Sequence, residues 1–179
     1  MIYMFFAEGF EEVEALAPLD LMRRAGLSVT TVGVGGPTVT GAHGISVLAD
    51  ISDKDYADDS PEMIFLPGGM PGTINLAASE VVQSAIQTAV RTNAYLAAIC
   101  AAPSILGDLG LLQGKNAICY PGFEDRLTGA TVSKKRVVRD GKILTAAGMG
   151  VAVEFGLAIV EELLGKKKAE ELRRAVLAD

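Results

Sequence analysis

Ile2 to Phe6 is a short continuous apolar run, and from Glu11 to Ala25 the residues Val13, Leu16, Ala17 and Leu21 recur at helical spacing until Gly26 stops them. The pattern predicts strand, loop, helix. Leu27 to Val34 follows as a second strand rich in β-branched residues, closed by the breaker Gly35-Gly36-Pro37. Thr38 to Thr40 and Ile45 to Leu48 flank Gly41-Ala42-His43-Gly44, which predicts a small antiparallel hairpin off the main sheet. Glu62 to Leu66 is a buried-type strand ending in Pro67-Gly68-Gly69, Ser79 to Thr92 repeats as a helix, and the strand Tyr95 to Ile99 runs directly into Cys100. Downstream, Ala101 to Leu109 reads as a short helix, Asn116 to Tyr120 as a strand, and Thr131 to Thr145 as paired strands around the turn Asp140-Gly141. Val151 to Leu164 is an amphipathic helix, and another begins at Lys168. Strands alternating with helices imply a mostly parallel sheet with helices on both faces, formed as a single domain over residues 1–179.

Composition narrows the class. Half of the residues are apolar, aromatics are few and Trp is absent, so the core is expected to be built from Ala, Val, Ile and Leu. A net charge of −6 argues against a nucleic-acid surface, which needs clustered positive charge. The basic run Lys166-Lys167-Lys168, with Arg173 and Arg174 beyond it, reads as a solvated helix end whose cations complement the helix dipole. No segment approaches the roughly 20 apolar residues that span a bilayer, and no secretory signal pattern opens the chain. The expectation is a cytoplasmic protein with two reduced cysteines, Cys100 and Cys119.

In parallel sheets of this kind the functional crevice lies at the carboxyl ends of the strands. Three strand ends are unusual: Glu8 to Glu14 after the first, Pro67-Gly68-Gly69-Met70 after another, and Cys100-Ala101-Ala102-Pro103 after a third. The last places a thiol between a buried strand and a helix start, in the manner of a nucleophile elbow. Ala101 N–H and the positive helix end are expected there to favour thiolate over thiol; a buried structural cysteine is the competing reading. Glu11, Glu12 and Glu14 fall in a first helical turn, where carboxylates serve as caps. Glu14, however, lies on the buried side and needs a polar partner, which a thiolate facing a protonated carboxyl would supply. Glu11 is placed to face the same cleft. Gly68 and Gly69 offer backbone N–H donors to a developing oxyanion, although most such pairs are only turns. Gly33-Val34-Gly35-Gly36 and Gly148-Met149-Gly150 lack the full dinucleotide fingerprint, and no cofactor or metal site is expected. The only histidine, His43, sits in the predicted hairpin and reads as a solvated turn residue, which argues against a Cys-His-acid triad. Cys119 alternates with Tyr120, so if Tyr120 faces the crevice Cys119 belongs to the core.

These residues resemble the DJ-1/ThiJ/PfpI superfamily, specifically its DJ-1-like branch, over nearly the whole chain. The resemblance is carried by Glu11-Glu12-Val13-Glu14 followed by Asp20 to Gly26, by Leu66-Pro67-Gly68-Gly69, by Ala98-Ile99-Cys100-Ala101-Ala102-Pro103, and by Glu154-Phe155 through Ala158 to Glu161. It implies a flavodoxin-like three-layer sandwich, akin to the class I glutamine amidotransferases, and a homodimer. Cys100 would be the reactive cysteine, Glu14 the acid touching it, and Gly69 and Ala101 the backbone donors. Arg24 would approach the neighbouring subunit's site, with Glu11 and Asp20 in the same region. Members of the branch have been described as cofactor-independent glyoxalases, as deglycases of methylglyoxal adducts, as redox sensors and as chaperones.

This chain departs from the family pattern by carrying Tyr120 where the best-known member has a histidine, and His43 and Ala147 where it has pocket arginines. The PfpI-type peptidases need a histidine directly after the cysteine, where this chain has Ala101, so peptidase activity is disfavoured. Three expectations follow. The chain is an enzyme acting on reactive aldehydes or glycated adducts through Cys100 and Glu14, a sensor using oxidation of Cys100, or a scaffold that keeps the fold alone.

Overall fold

The structure, a computed structural model, describes residues 1–57 and 60–178. In chain order the elements are β1 (Ile2–Phe6), α1 (Glu12–Arg24), β2 (Val29–Gly33), β3 (Thr38–Thr40), β4 (Ser46–Leu48), β5 (Ile51–Ser52), β6 (Met63–Leu66), α2 (Gly72–Ala78) and α3 (Glu80–Arg91). There follow β7 (Tyr95–Ile99), α4 (Pro103–Asp108), β8 (Asn116–Ala117), β9 (Thr131–Val132), β10 (Val137–Asp140), β11 (Ile143–Ala146), α5 (Ala152–Leu164) and α6 (Lys166–Ala175).

Seven strands form the main sheet in the order β10-β11-β7-β6-β1-β2-β5. All its pairings are parallel except β10 with β11, which turn back on each other at Asp140 and Ile143. Because successive strand residues point to opposite faces, β1 contributes Met4 and Phe6 to one core and Phe5 to the other. The first core joins Phe65, Ile99 and Phe155 under α1, α5 and α6; the second joins Ile64, Leu66, Val82, Ile86 and Leu106 under α3 and α4. The result is a three-layer α/β sandwich of flavodoxin-like type. Helix α1 passes through Pro18 without ending, and α5 closes on it at Gly156, where an added Cβ would lie 2.9 Å from Pro18 Cα. Gly156 is thus what lets two helices of one layer meet.

The hairpin predicted around residues 41–44 is present as β3 and β4, paired antiparallel with Val39 opposite Val47. Other boundaries moved. Helix α2 and the two-residue β5 had no sequence signal, being too short for periodicity to register. The predicted strand Asn116 to Tyr120 stops at Ala117, because Ile118 N–H donates to the Thr145 hydroxyl (3.0 Å) and Tyr120 N–H to the Cys100 carbonyl (2.7 Å) rather than to a ladder partner. Helix α6 begins at Lys166, not Lys168, so the three lysines form its first turn, where the dipole opposes them. Arg173 and Arg174, in its last turn, do complement the dipole. Among the described residues no helix is long and apolar enough to cross a membrane.

Candidate active site

Strand order reverses around β1, with β2 on one side and β6 on the other, and a crevice opens there at the carboxyl ends of the strands. Into it run the loop from β1 to α1, the turn after β6 and the turn after β7. They bring Glu11 and Glu14, Gly68 and Gly69, and Cys100 together from three distant parts of the sequence.

Cys100 has a φ of 64°, a left-handed conformation that costs a non-glycine residue on the order of 1–3 kcal/mol. Two backbone bonds hold it there: its N–H donates to Ala146 O (2.9 Å), and its carbonyl accepts from Tyr120 N–H. Glu14 is 1 % exposed. Its Oε2 accepts from Gly68 N–H (3.1 Å), and the carboxyl is also hydrogen-bonded to the Cys100 thiol and the Met149 backbone. Glu11 caps α1 by accepting Glu14 N–H (2.6 Å), which fixes the start of the helix that carries Glu14. Glycine is required at 68: an added Cβ would lie 2.5 Å from Glu14 Oε2 and 2.6 Å from Cys100 Cβ.

Burial pushes the Glu14 carboxyl up to about 7, against the opposing hydrogen bond from Cys100 and with the Glu11 charge adding to the rise. Burial likewise pushes the Cys100 thiol up to about 12, the Glu14 charge and hydrogen bond adding, while Gly69 and Ala101 N–H groups pull it down. The expectation that the turn alone lowers the thiol is therefore corrected: desolvation and the adjacent carboxylate outweigh two backbone donors and a helix of only six residues. The value of about 12 belongs to a thiol facing an ionised Glu14. As pH passes about 7 the pair loses its first proton and carries one negative charge.

The other sequence-selected residues are placed as follows. Gly69 and Ala101 direct their N–H groups to the Cys100 sulfur, but Gly68 N–H is occupied by Glu14, so it is no donor to an oxyanion. Tyr120, half exposed, and His43 line the same cleft of about 510 Å³ as Glu11, Glu14 and Cys100. His43 sits in the turn between β3 and β4 and its Nδ1 is 2.8 Å from Glu12 Oε2. Asp20 and Arg24 pair with each other on the exposed side of α1 (2.5 Å), beside Val153, outside this cleft in one chain. Cys119 is buried in the core on the opposite sheet face, as expected, although it lies beyond the end of β8 and not in a strand.

Two functional neighbours had no signal in the sequence. Glu12, grouped with the caps, is buried and instead accepts His43 N–H (2.7 Å) and Ile45 N–H (3.4 Å), tying the hairpin to α1. Arg136 lines the cleft because it stands opposite Ala147 at the end of the β10–β11 ladder. The ligand atoms of Glu11, Glu12 and His43 lie within 4.8 Å of one another, but Glu11 Oε2, both Glu12 oxygens and His43 Nδ1 are already engaged in these bonds. A second cleft of about 520 Å³, between β10 and α5, contains neither Cys100 nor Glu14; Glu162 there is bonded to Tyr95 OH (2.7 Å) and Arg139.

A flavodoxin-like sandwich whose β7 ends in a left-handed cysteine bonded to a buried glutamate defines a class of cysteine proteins with the site at the sheet's switch point. The DJ-1/PfpI family profile matches residues 1–162, and the chain belongs to that family, in its DJ-1-like branch. It is 36 % identical over 177 residues to Protein dj-1beta of Drosophila melanogaster, covering 97 % of this chain and 95 % of that one. It is 32 % identical over 167 residues to the glutathione-independent glyoxalase DJR-1.2 of Caenorhabditis elegans, covering 92 % and 89 %. The solved structure of oxidized Toxoplasma gondii DJ-1 superposes with a TM-score of 0.94 at 32 % identity, covering 98 % of this chain and 97 % of that one.

Proposed function

We propose that this protein converts reactive α-oxoaldehydes, or their early adducts, to hydroxy acids without a cofactor, with Cys100 as nucleophile and Glu14 as acid and base. The observation that carries this reading is the half-buried Cys100 thiol set against the buried Glu14 carboxyl, whose value burial raises to about 7. With methylglyoxal, the Cys100 sulfur attacks the aldehyde carbon as the Glu14 proton passes to the aldehyde oxygen, giving a hemithioacetal. The Glu14 carboxylate then removes the proton from that carbon, the hydroxyl proton passes to the neighbouring carbonyl oxygen to give an enediolate, and Glu14 returns its proton to the second carbon as the first oxygen becomes a carbonyl, leaving a lactoyl thioester. Water, deprotonated by Glu14, attacks the thioester; the sulfur leaves as thiolate and lactate is released. Gly69 and Ala101 N–H groups steady the negative charge on sulfur as it forms. Proton transfer falls to Glu14, the buried carboxyl set against Cys100. The name of the Caenorhabditis elegans relative, a glutathione-independent glyoxalase, supports this chemistry. Lactate formed from methylglyoxal by purified protein tests it: Cys100→Ser should abolish the product, and undiminished lactate from that variant would sink the proposal.

A second reading is redox sensing by the same thiol, favoured by a relative solved in an oxidized form and by the burial contrast between half-buried Cys100 and buried Cys119. Peroxide would take Cys100 to sulfenic acid with release of water. Mass spectrometry after mild peroxide should then find Cys100 modified ahead of Cys119, and the reverse order counts against it. In either case the two cysteines, free in this structure, fit a cytoplasmic setting, and the exposed Val13 and Val153 fit a homodimer face along α1 and α5.

A further inference from the structure

We propose that Arg136 makes the cleft selective for aldehydes that carry an anionic oxygen group, a carboxylate or a phosphate. This rests on Cys100 as the reacting atom and adds the substrate class. Arg136 stands across the ladder from Ala147, whose N–H donates to the Arg136 carbonyl (2.9 Å). The small side chain at 147 leaves room for the guanidinium to lie along Gly148 to Val151, where Nη2 donates to Gly150 O (2.8 Å). That bond uses one of five N–H donors and fixes the fork at the cleft wall. Among the described residues no carboxylate is in ion-pair contact with Arg136. The other charged groups lining the cleft are Glu11, the Glu14–Cys100 pair and His43, whose imidazole is engaged by Glu12. Arg136 is thus the cation left without a counter-ion, in a cleft whose remaining charge repels anions. An anionic substrate is thereby oriented: its charged end goes to Arg136, away from Glu11, and its aldehyde to Cys100. A planar fork with free donors suits carboxylate or phosphate oxygens, which it binds by two parallel hydrogen bonds.

Iodoacetate and iodoacetamide, nearly equal in size and different in charge, test this on the thiol itself without any need for turnover. In each, the Cys100 sulfur displaces iodide. Arg136→Gln should slow alkylation by iodoacetate about tenfold, the effect of one lost charge-assisted bond, while leaving the iodoacetamide rate nearly unchanged. Arg136→Lys should recover part of the loss. An unchanged rate ratio would overturn this inference alone and leave Arg136 a cap on the Gly150 carbonyl; no alkylation of Cys100 by either reagent would overturn the Cys100 chemistry as well. On the wild-type protein, lactate and inorganic phosphate are the competitors against iodoacetamide. Protection by lactate alone marks carboxylate as the anion, protection by phosphate alone marks phosphate, and protection by neither removes the anion site.

Discussion

Glu14 holds a proton at pH values where an exposed carboxylate has lost it. Its value of about 7 lies above the ordinary 4.5, so the native state keeps a proton that the unfolded chain releases between them. The stabilisation this gives is complete below the unfolded value and is lost as pH rises through the folded one, about 3 kcal/mol in all. Glu14→Gln cannot ionise, so denaturant titrations between about pH 5 and about pH 8 should show stability falling in the wild type and not through this group in the variant. The same variant should lower lactate formation about 10²- to 10⁴-fold, the usual contribution of a positioned acid and base. Gly68→Ala tests the geometry instead of the charge. Its methyl would fall within bonding-clash distance of both Glu14 and Cys100, so a stability loss of about 1–3 kcal/mol and a changed pH midpoint of Cys100 alkylation are expected. An unaltered midpoint would mean that the carboxyl and the thiol do not depend on this close approach.

At the level of elements, Glu12 ties the turn of the β3–β4 hairpin to α1, beside the bonds from Gly9 N–H to Thr40 O (2.8 Å) and from Ala42 N–H to Phe10 O (2.7 Å). A buried carboxylate at the start of α1 accepts two backbone N–H groups of the turn, and Gly41 lies so close that an added Cβ would be 2.3 Å from Glu12 Oε1. Glu12→Ala should therefore speed amide hydrogen exchange at Ala42 to Ile45 about tenfold while leaving β1, β6 and β7 protected. Uniform acceleration across the sheet would show that Glu12 supports the whole fold instead. The acidic cluster at the head of α1 thus divides its labour: Glu11 caps, Glu12 staples the hairpin, and Glu14 faces the thiol.

For the molecule as a whole, the exposed apolar residues on α1 and α5 set the expectation for assembly. Val13 is 44 % and Val153 42 % exposed, and Val153 borders the depression that holds Asp20 and Arg24. Sedimentation should show a dimer that Val153→Arg converts to monomer, since a charge buried without a partner in an interface costs several kcal/mol. A dimer that survives the substitution would place the interface elsewhere.

The order of strands and helices, the hairpin, and the placement of Cys100 at the end of Tyr95–Ile99 were legible in the sequence. Glu14 is buried as expected, but the apolar stripe read as its face is not: Val13 is exposed and Leu16 and Ala17 are half-buried, so periodicity gave the helix and not which side faces the core. Tertiary structure decided the rest. Cys100 and Glu14 meet only because packing sets them side by side and withdraws the carboxyl from water, and Gly68 N–H serves Glu14 because β6 ends beside α1. Glu12 reaches a hairpin, and Arg136 a cleft, through contacts between segments that sequence spacing does not connect. Desolvation and distance between remote groups arise only when the layers close, so no pattern along the chain records them.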